Sequence, residues 1–171
     1  MINFRLLINI ITILFLVLLQ VFIFNKMVFN QIAVPYIYIL FILLYPPQRN
    51  RYMFLVLCFL LGWGIDIFES TGGINAFACL TIGFLSKHII RMATGTRFFE
   101  IEEFSFGDFN AGQWFFYVTA MTAIHHFLLF FLESFSFASI QEVLIRTLYC
   151  SVYTILLIFF YLILFRKRAE R

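Results

Sequence analysis

Long apolar runs broken by short polar punctuation dominate the chain. A membrane-crossing run needs about 20 apolar residues, with a range of ~17–25. The pattern predicts six such spans, at 6–24, 28–45, 52–68, 74–90, 114–132 and 143–165. The second is tightly bounded, by Asn25-Lys26 before it and Pro46-Pro47 after it, and it contains Pro35, so a kink or tilt is expected there. The first follows Arg5 and ends at Phe24-Asn25-Lys26 without a small-x-small cleavage site, so it reads as a retained span. The one sizeable connection covers about 92–113. Within it, 97–110 partly alternate acidic and aromatic residues, the pattern of a short extended or hairpin segment at an interface. An interfacial anchor and a docking surface for a partner both fit it.

Helical spacing sorts the polar residues inside these runs onto faces. Asn9, Thr12 and Gln20 share a stripe in the first span, and Gly62, Asp66 and Glu69 share one in the third. Asn75, Cys79, Gly83 and Lys87 repeat every four residues in the fourth span. In the fifth, Thr119, Thr122, His126 and Glu133 lie on one face. Small and polar residues at such spacing are how membrane helices approach and hydrogen-bond one another. The junction from Gly62 to Phe77 stands out, because it sets Asp66, Glu69, the Gly72-Gly73 pair and Asn75 between two apolar runs. An acidic residue at the end of a span is costly and marks a functional candidate. For Asp66 both a cap closing the turn and a contact with a partner or ligand are open.

Composition narrows the class. The chain is 63% hydrophobic and 12% charged over 171 residues, a balance that water-soluble domains do not have. It is expected to be all-α: a single polytopic integral membrane domain over 1–171 with six transmembrane helices. No stretch is polar and long enough for a fused ATPase, kinase or extracellular sensor. Cys58, Cys79 and Cys150 all lie in apolar runs without a C-x-x-C pair, and read as small buried hydrophobes.

The net charge of +3 carries no nucleic-acid signal, because the basic residues sit at span ends. One set of connections holds ten of them: Arg5; Arg49 and Arg51; Lys87, Arg91 and Arg97; and Arg166, Lys167, Arg168 and Arg171. The opposite set holds only Lys26 and Arg146. That asymmetry predicts cytoplasmic termini, with Asp66, Glu69 and the glycine turn outside.

Candidate chemistry is sparse. There is no G-x-S-x-G, P-loop or dinucleotide fingerprint, and no H-E-x-x-H. Adjacent His125 and His126 point about 100° apart on a helix, and Glu133 lies about 10 Å along the axis from His126. A hydrogen-bonded interior histidine therefore fits better than a metal ligand. No catalysis, cofactor or metal is expected.

The chain resembles the bacterial rod shape-determining MreD family. The resemblance is carried by Leu18-Leu19-Gln20 closing an early span, Pro35 opening the second, Gly62-x-Gly64-x-Asp66, and then Gly72-Gly73-Ile74-Asn75-Ala76. Motifs cover roughly 1–90; size and span count cover the remainder. Tyr36 follows Pro35 where the family commonly has an aspartate, and the acidic–aromatic loop lies outside the family pattern. The resemblance implies a non-enzymatic component of the lateral cell-wall elongation machinery in the bacterial inner (cytoplasmic) membrane. It would act with MreC, and through it with the MreB filament and the wall-building glycosyltransferase and transpeptidase, within membrane lipid. Gln20, Pro35, Gly62, Gly64, Asp66, Gly73 and Asn75 are the partner-binding or structural motif it singles out. The family is also similar in architecture to the six-helix substrate-binding subunits of vitamin-uptake transporters, which supplies the alternative of a small-molecule-binding subunit of an energy-coupled transporter. The few polar groups available to grip a vitamin favour the first reading.

Overall fold

A computed structural model describes residues 4–29, 33–95, 109–136 and 139–165. Among the described residues every regular element is a helix: α1 (Phe4–Phe22), a 3₁₀ turn (Phe24–Lys26), α2 (Ile39–Leu44), α3 (Arg51–Glu69), α4 (Ile74–Thr94), α5 (Ala111–Ser134) and α6 (Ile140–Phe165). The ends follow local chemistry. After Pro46-Pro47, the Asn50 side chain accepts from the N–H groups of Tyr52 and Met53 at 2.9 and 3.2 Å, starting α3. Asn110 and Gln113 form a reciprocal capping box at the start of α5, with bonds of 2.8 and 2.9 Å. That box begins α5 three residues before the start that hydropathy predicts. Of the acidic–aromatic segment 97–110, only Phe109 and Asn110 fall within the described residues. Phe109 is buried against Trp114 and Tyr117 rather than turned to lipid.

The predicted second span is not a continuous helix. Among the described residues five helices, not six, have the length and apolarity to cross a membrane. Among the described residues of 28–45 only the six of α2 are α-helical. Phe29 and Ala33 close an antiparallel bridge, and the chain runs without regular structure through Pro35 into a turn before α2 begins. Proline has no N–H to give and biases the residue before it away from helix. The segment nevertheless returns the chain from one end of the bundle to the other. Asn25, just after α1, bonds Glu69 at the end of α3, while Arg5 near the start of α1 lines the same hollow as Asn50 and Met53 at the start of α3. The intervening residues must therefore pass back, and the two described ends of the chain lie at the same end of the bundle.

α2 is apolar all round because most of its side chains are buried against protein. Tyr38, Ile39, Ile42 and Leu43 are fully buried, and α2 meets α1, α4 and α5. Irregular backbone at membrane depth is tolerated only where protein shelters it and supplies its hydrogen bonds. Around α2 the packed order is α1, α3, α4, α5, α6, with α3 against α4 the most extensive contact. The rim helices turn Ile11, Leu14 and Phe15 of α1, and Leu156, Phe160 and Ile163 of α6, outward. An outer surface this apolar, around an interior holding the polar side chains, is built for a bilayer rather than water.

Candidate functional site

α3 and α4 meet at a junction tied together by polar groups of the motif. At the end of α3, Ser70 adopts the left-handed conformation and returns its N–H to the Asp66 carbonyl. Gly73 follows at φ +99, a region other residues avoid, and delivers the chain into α4. The first N–H groups of a helix have no intrahelical acceptor. Asp66 supplies one from the preceding helix: its side-chain oxygens accept from the N–H of Asn75 at 3.0 Å and of Ala76 at 2.8 Å. They also accept from the Asn75 amide at 3.1 Å and from the Thr71 hydroxyl. A negative charge there also complements the positive end of the α4 dipole. Asp66 is thus a cap supplied in trans, and it is buried.

Gly62 lies one turn earlier, where the two backbones cross. A Cβ built on it would stand 2.5 Å from Ala76 Cα and closer still to the Asn75 carbonyl oxygen. Only glycine fits. The Asn75 side chain, held by Asp66 and by the Thr71 hydroxyl at 3.0 Å, accepts in turn from the Tyr38 hydroxyl at 2.8 Å. Tyr38 lies 3.2 Å from His125 Nε2, and Cys79 Sγ lies 3.9 Å from the same nitrogen. A chain of side-chain bonds therefore runs from the turn to the middle of α5.

Gln20 does the equivalent work for the broken second pass. Its amide donates to the Pro35 carbonyl at 2.9 Å, and its carbonyl accepts from the Ile37 N–H at 2.9 Å. One side chain replaces the helical partners that the proline denies to its neighbours. The Tyr36 N–H is taken by Thr154 of α6 at 3.0 Å. Gln20 also donates to Asn25 at 2.8 Å, and Asn25 donates to Glu69. The Gln20 cluster and the Asp66 cluster are consequently joined twice: through Asn25 to Glu69, three residues after Asp66, and through Tyr38, three residues after Pro35.

Of the residues singled out from sequence, Gln20, Pro35, Gly62, Asp66, Gly73 and Asn75 gather at this end of the bundle. Gly64 faces another partner, with its Cβ position 3.0 Å from Val17 of α1. Asn9 and Thr12 lie toward the opposite end, away from Gln20. Both histidines of α5 are buried: His126 Nδ1 lies 3.0 Å from the Ser151 hydroxyl of α6, and its ring meets Tyr36 at 4.9 Å between centroids. Glu133 turns away to Arg146 at 3.2 Å, and the Arg146 guanidinium caps the Phe130 ring. Among the described residues no three His, Cys, Asp or Glu side chains come together as a metal site.

Sequence reasoning missed Asn25, Tyr38, Thr71 and Thr154. Tyr38 had a signal: a phenol in the middle of an apolar run needs a partner for its hydroxyl. Asn25 and Thr71 look like ordinary loop residues until the ends of α1 and α3 are seen side by side.

Fold and site together define a multi-pass helical membrane protein whose motif residues form a load-sharing hydrogen-bond junction at one end of the bundle. Comparison of the chain with family models, curated proteins and solved structures finds no match.

Proposed function

We propose that this chain is a non-enzymatic membrane component of the bacterial cell-wall elongation complex, of the MreD type, needed for rod shape and working by binding an MreC-like partner. The observation that carries the reading is the use of the motif. The groups of Asp66, Asn75 and Gln20 are spent within the junction and on buried backbone groups that lack helical partners, which supports an architectural junction over a reactive or solute-gripping one. The six passes of the chain, one of them short and sheltered, suit the six-helix plan of vitamin-binding transporter subunits in architecture. The same polar economy leaves little at the motif to hold a vitamin.

Purification in mild detergent tests this. An MreC-like protein is expected to come down with the chain. Recovery of energy-coupling ATPases instead would favour the transporter reading. Turnover of a lipid-linked wall precursor by the purified chain alone would end the non-enzymatic one.

The proposed orientation places the basic end and both termini in the cytoplasm of a cell bounded by its inner membrane. Ser70→Cys is expected to react with an impermeant maleimide from outside, and Ala169→Cys to react only after permeabilisation. The native Cys58, Cys79 and Cys150 are buried and give little background. The reverse labelling would invert the topology.

A further inference from the structure

At the basic end of the bundle, away from the motif, α1 and α6 do not close on one another. A crevice of about 450 Å³ lies between them, floored by α2. Its polar lining is Asn9, Thr12, Tyr45, Arg49 and Tyr161. A second hollow of about 320 Å³ shares Asn9, Tyr45 and Arg49 with it and adds Arg5. Deeper in, the walls are Phe15, Leu16, Leu40 and Phe41. No acidic side chain is among the described residues lining either hollow. Arg5 and Arg49 are exposed, and the Arg49 guanidinium sits 5.6 Å over the Tyr45 ring, at the mouth. From Arg5 to Leu16 the crevice follows α1 for about 16 Å, roughly half of a ~30 Å hydrocarbon core.

We propose that this crevice binds one anionic phospholipid from the leaflet at the basic end. Its phosphate sits between Arg5 and Arg49, and one acyl chain lies along Phe15, Leu16, Leu40 and Phe41. Three features select this occupant. A guanidinium pair matches phosphate oxygens in charge and geometry. The depth is that of one leaflet. The volume suits a chain and part of a headgroup, whereas a helix 10–12 Å across and ~30 Å long needs roughly 2,000 Å³ or more. A zwitterionic lipid presents its phosphate equally well, but its ammonium would meet two arginines and no carboxylate among the described residues lining the crevice.

Native mass spectrometry of the full chain, titrated with phosphatidylglycerol or phosphatidylcholine, tests the site. One phosphatidylglycerol is expected to be retained per chain, about tenfold over phosphatidylcholine. The double variant Arg5→Gln, Arg49→Gln should abolish that preference. Thr12→Phe, which fills the crevice and leaves both charges, should lower occupancy by both lipids. Lys26→Gln, at the opposite end, should change nothing. Inorganic phosphate at millimolar concentration should not displace the lipid. Equal retention of the two lipids by the wild-type chain, undiminished preference in the double arginine variant, or displacement by phosphate alone would each overturn the assignment. Helix content and thermal unfolding of each variant show whether it is folded. Should the arginine variants fail to fold, Thr12→Phe decides alone: unchanged occupancy overturns the proposal.

Discussion

Gly62→Ala is expected to be the most damaging single-methyl change in the protein. The added Cβ would fall on the backbone of α4, 2.5 Å from Ala76 Cα and against the Asn75 carbonyl, so no rotamer change can relieve it. The helices must separate, and separation also pulls Asn75 and Ala76 from Asp66. Overpacking costs about 1–3 kcal/mol and more where backbone is struck, so a loss on the order of 3 kcal/mol or more is expected in thermal or denaturant unfolding in mild detergent. Gly83→Ala should be milder: its Cβ would meet the Cys58 Sγ at 2.7 Å, a side-chain atom that Cys58→Ala removes. Gly64→Ala should be milder again, since its nearest neighbour is a Val17 methyl at 3.0 Å. A Gly62→Ala protein of unchanged stability that no longer co-purifies with an MreC-like partner would instead move Gly62 from internal packing to the partner interface.

The ranking of these glycines shows where the sequence was legible. Periodicity placed Gly62 and Gly83 on small-residue ridges, but it could not say that one ridge meets backbone and the other a thiol. Hydropathy located the five long helices because lipid-facing spans carry the signal in their own length. It failed for 28–45 because a run buried by protein and a run buried by lipid are equally apolar. Pro35 held the clue, and Gln20 held the answer: a buried amide is costly unless its donor and acceptor are both used, and the two groups it meets flank the residue after that proline. Tyr36 also gains a setting. Its N–H goes to Thr154 and its half-buried ring packs on His126, where an aspartate would need partners of its own.

The junction also changes what a motif residue means here. Asp66, Asn75 and Tyr38 form one path into α5, and Gln20, Asn25 and Glu69 form a second path between α1 and α3. Damage at any one of them is therefore expected to spread through the junction, so loss of function alone cannot distinguish a contact residue from a supporting one. Stability has to be measured beside partner capture.

Asp66 is where that pairing of measurements separates the roles most sharply. Asp66→Ala leaves the N–H groups of Asn75 and Ala76 without an acceptor inside the protein, together with the Thr71 hydroxyl. Each buried orphan costs about 1–3 kcal/mol, so with three donors orphaned the variant is expected to lose about 3 kcal/mol or more and, on the proposed function, much of its partner capture with it. Asp66→Asn keeps one acceptor oxygen but turns an amide NH₂ toward donors already pointing at that site, and it gives up a helix-dipole interaction worth about 0.3–1 kcal/mol, rising to ~2 when partly buried. It should therefore lose about half as much stability and retain measurable capture. The order alanine worse than asparagine follows from hydrogen-bond acceptance. Equal loss of capture in both variants, with unfolding midpoints unchanged, would mean that the negative charge is read by a partner and that the cap is incidental.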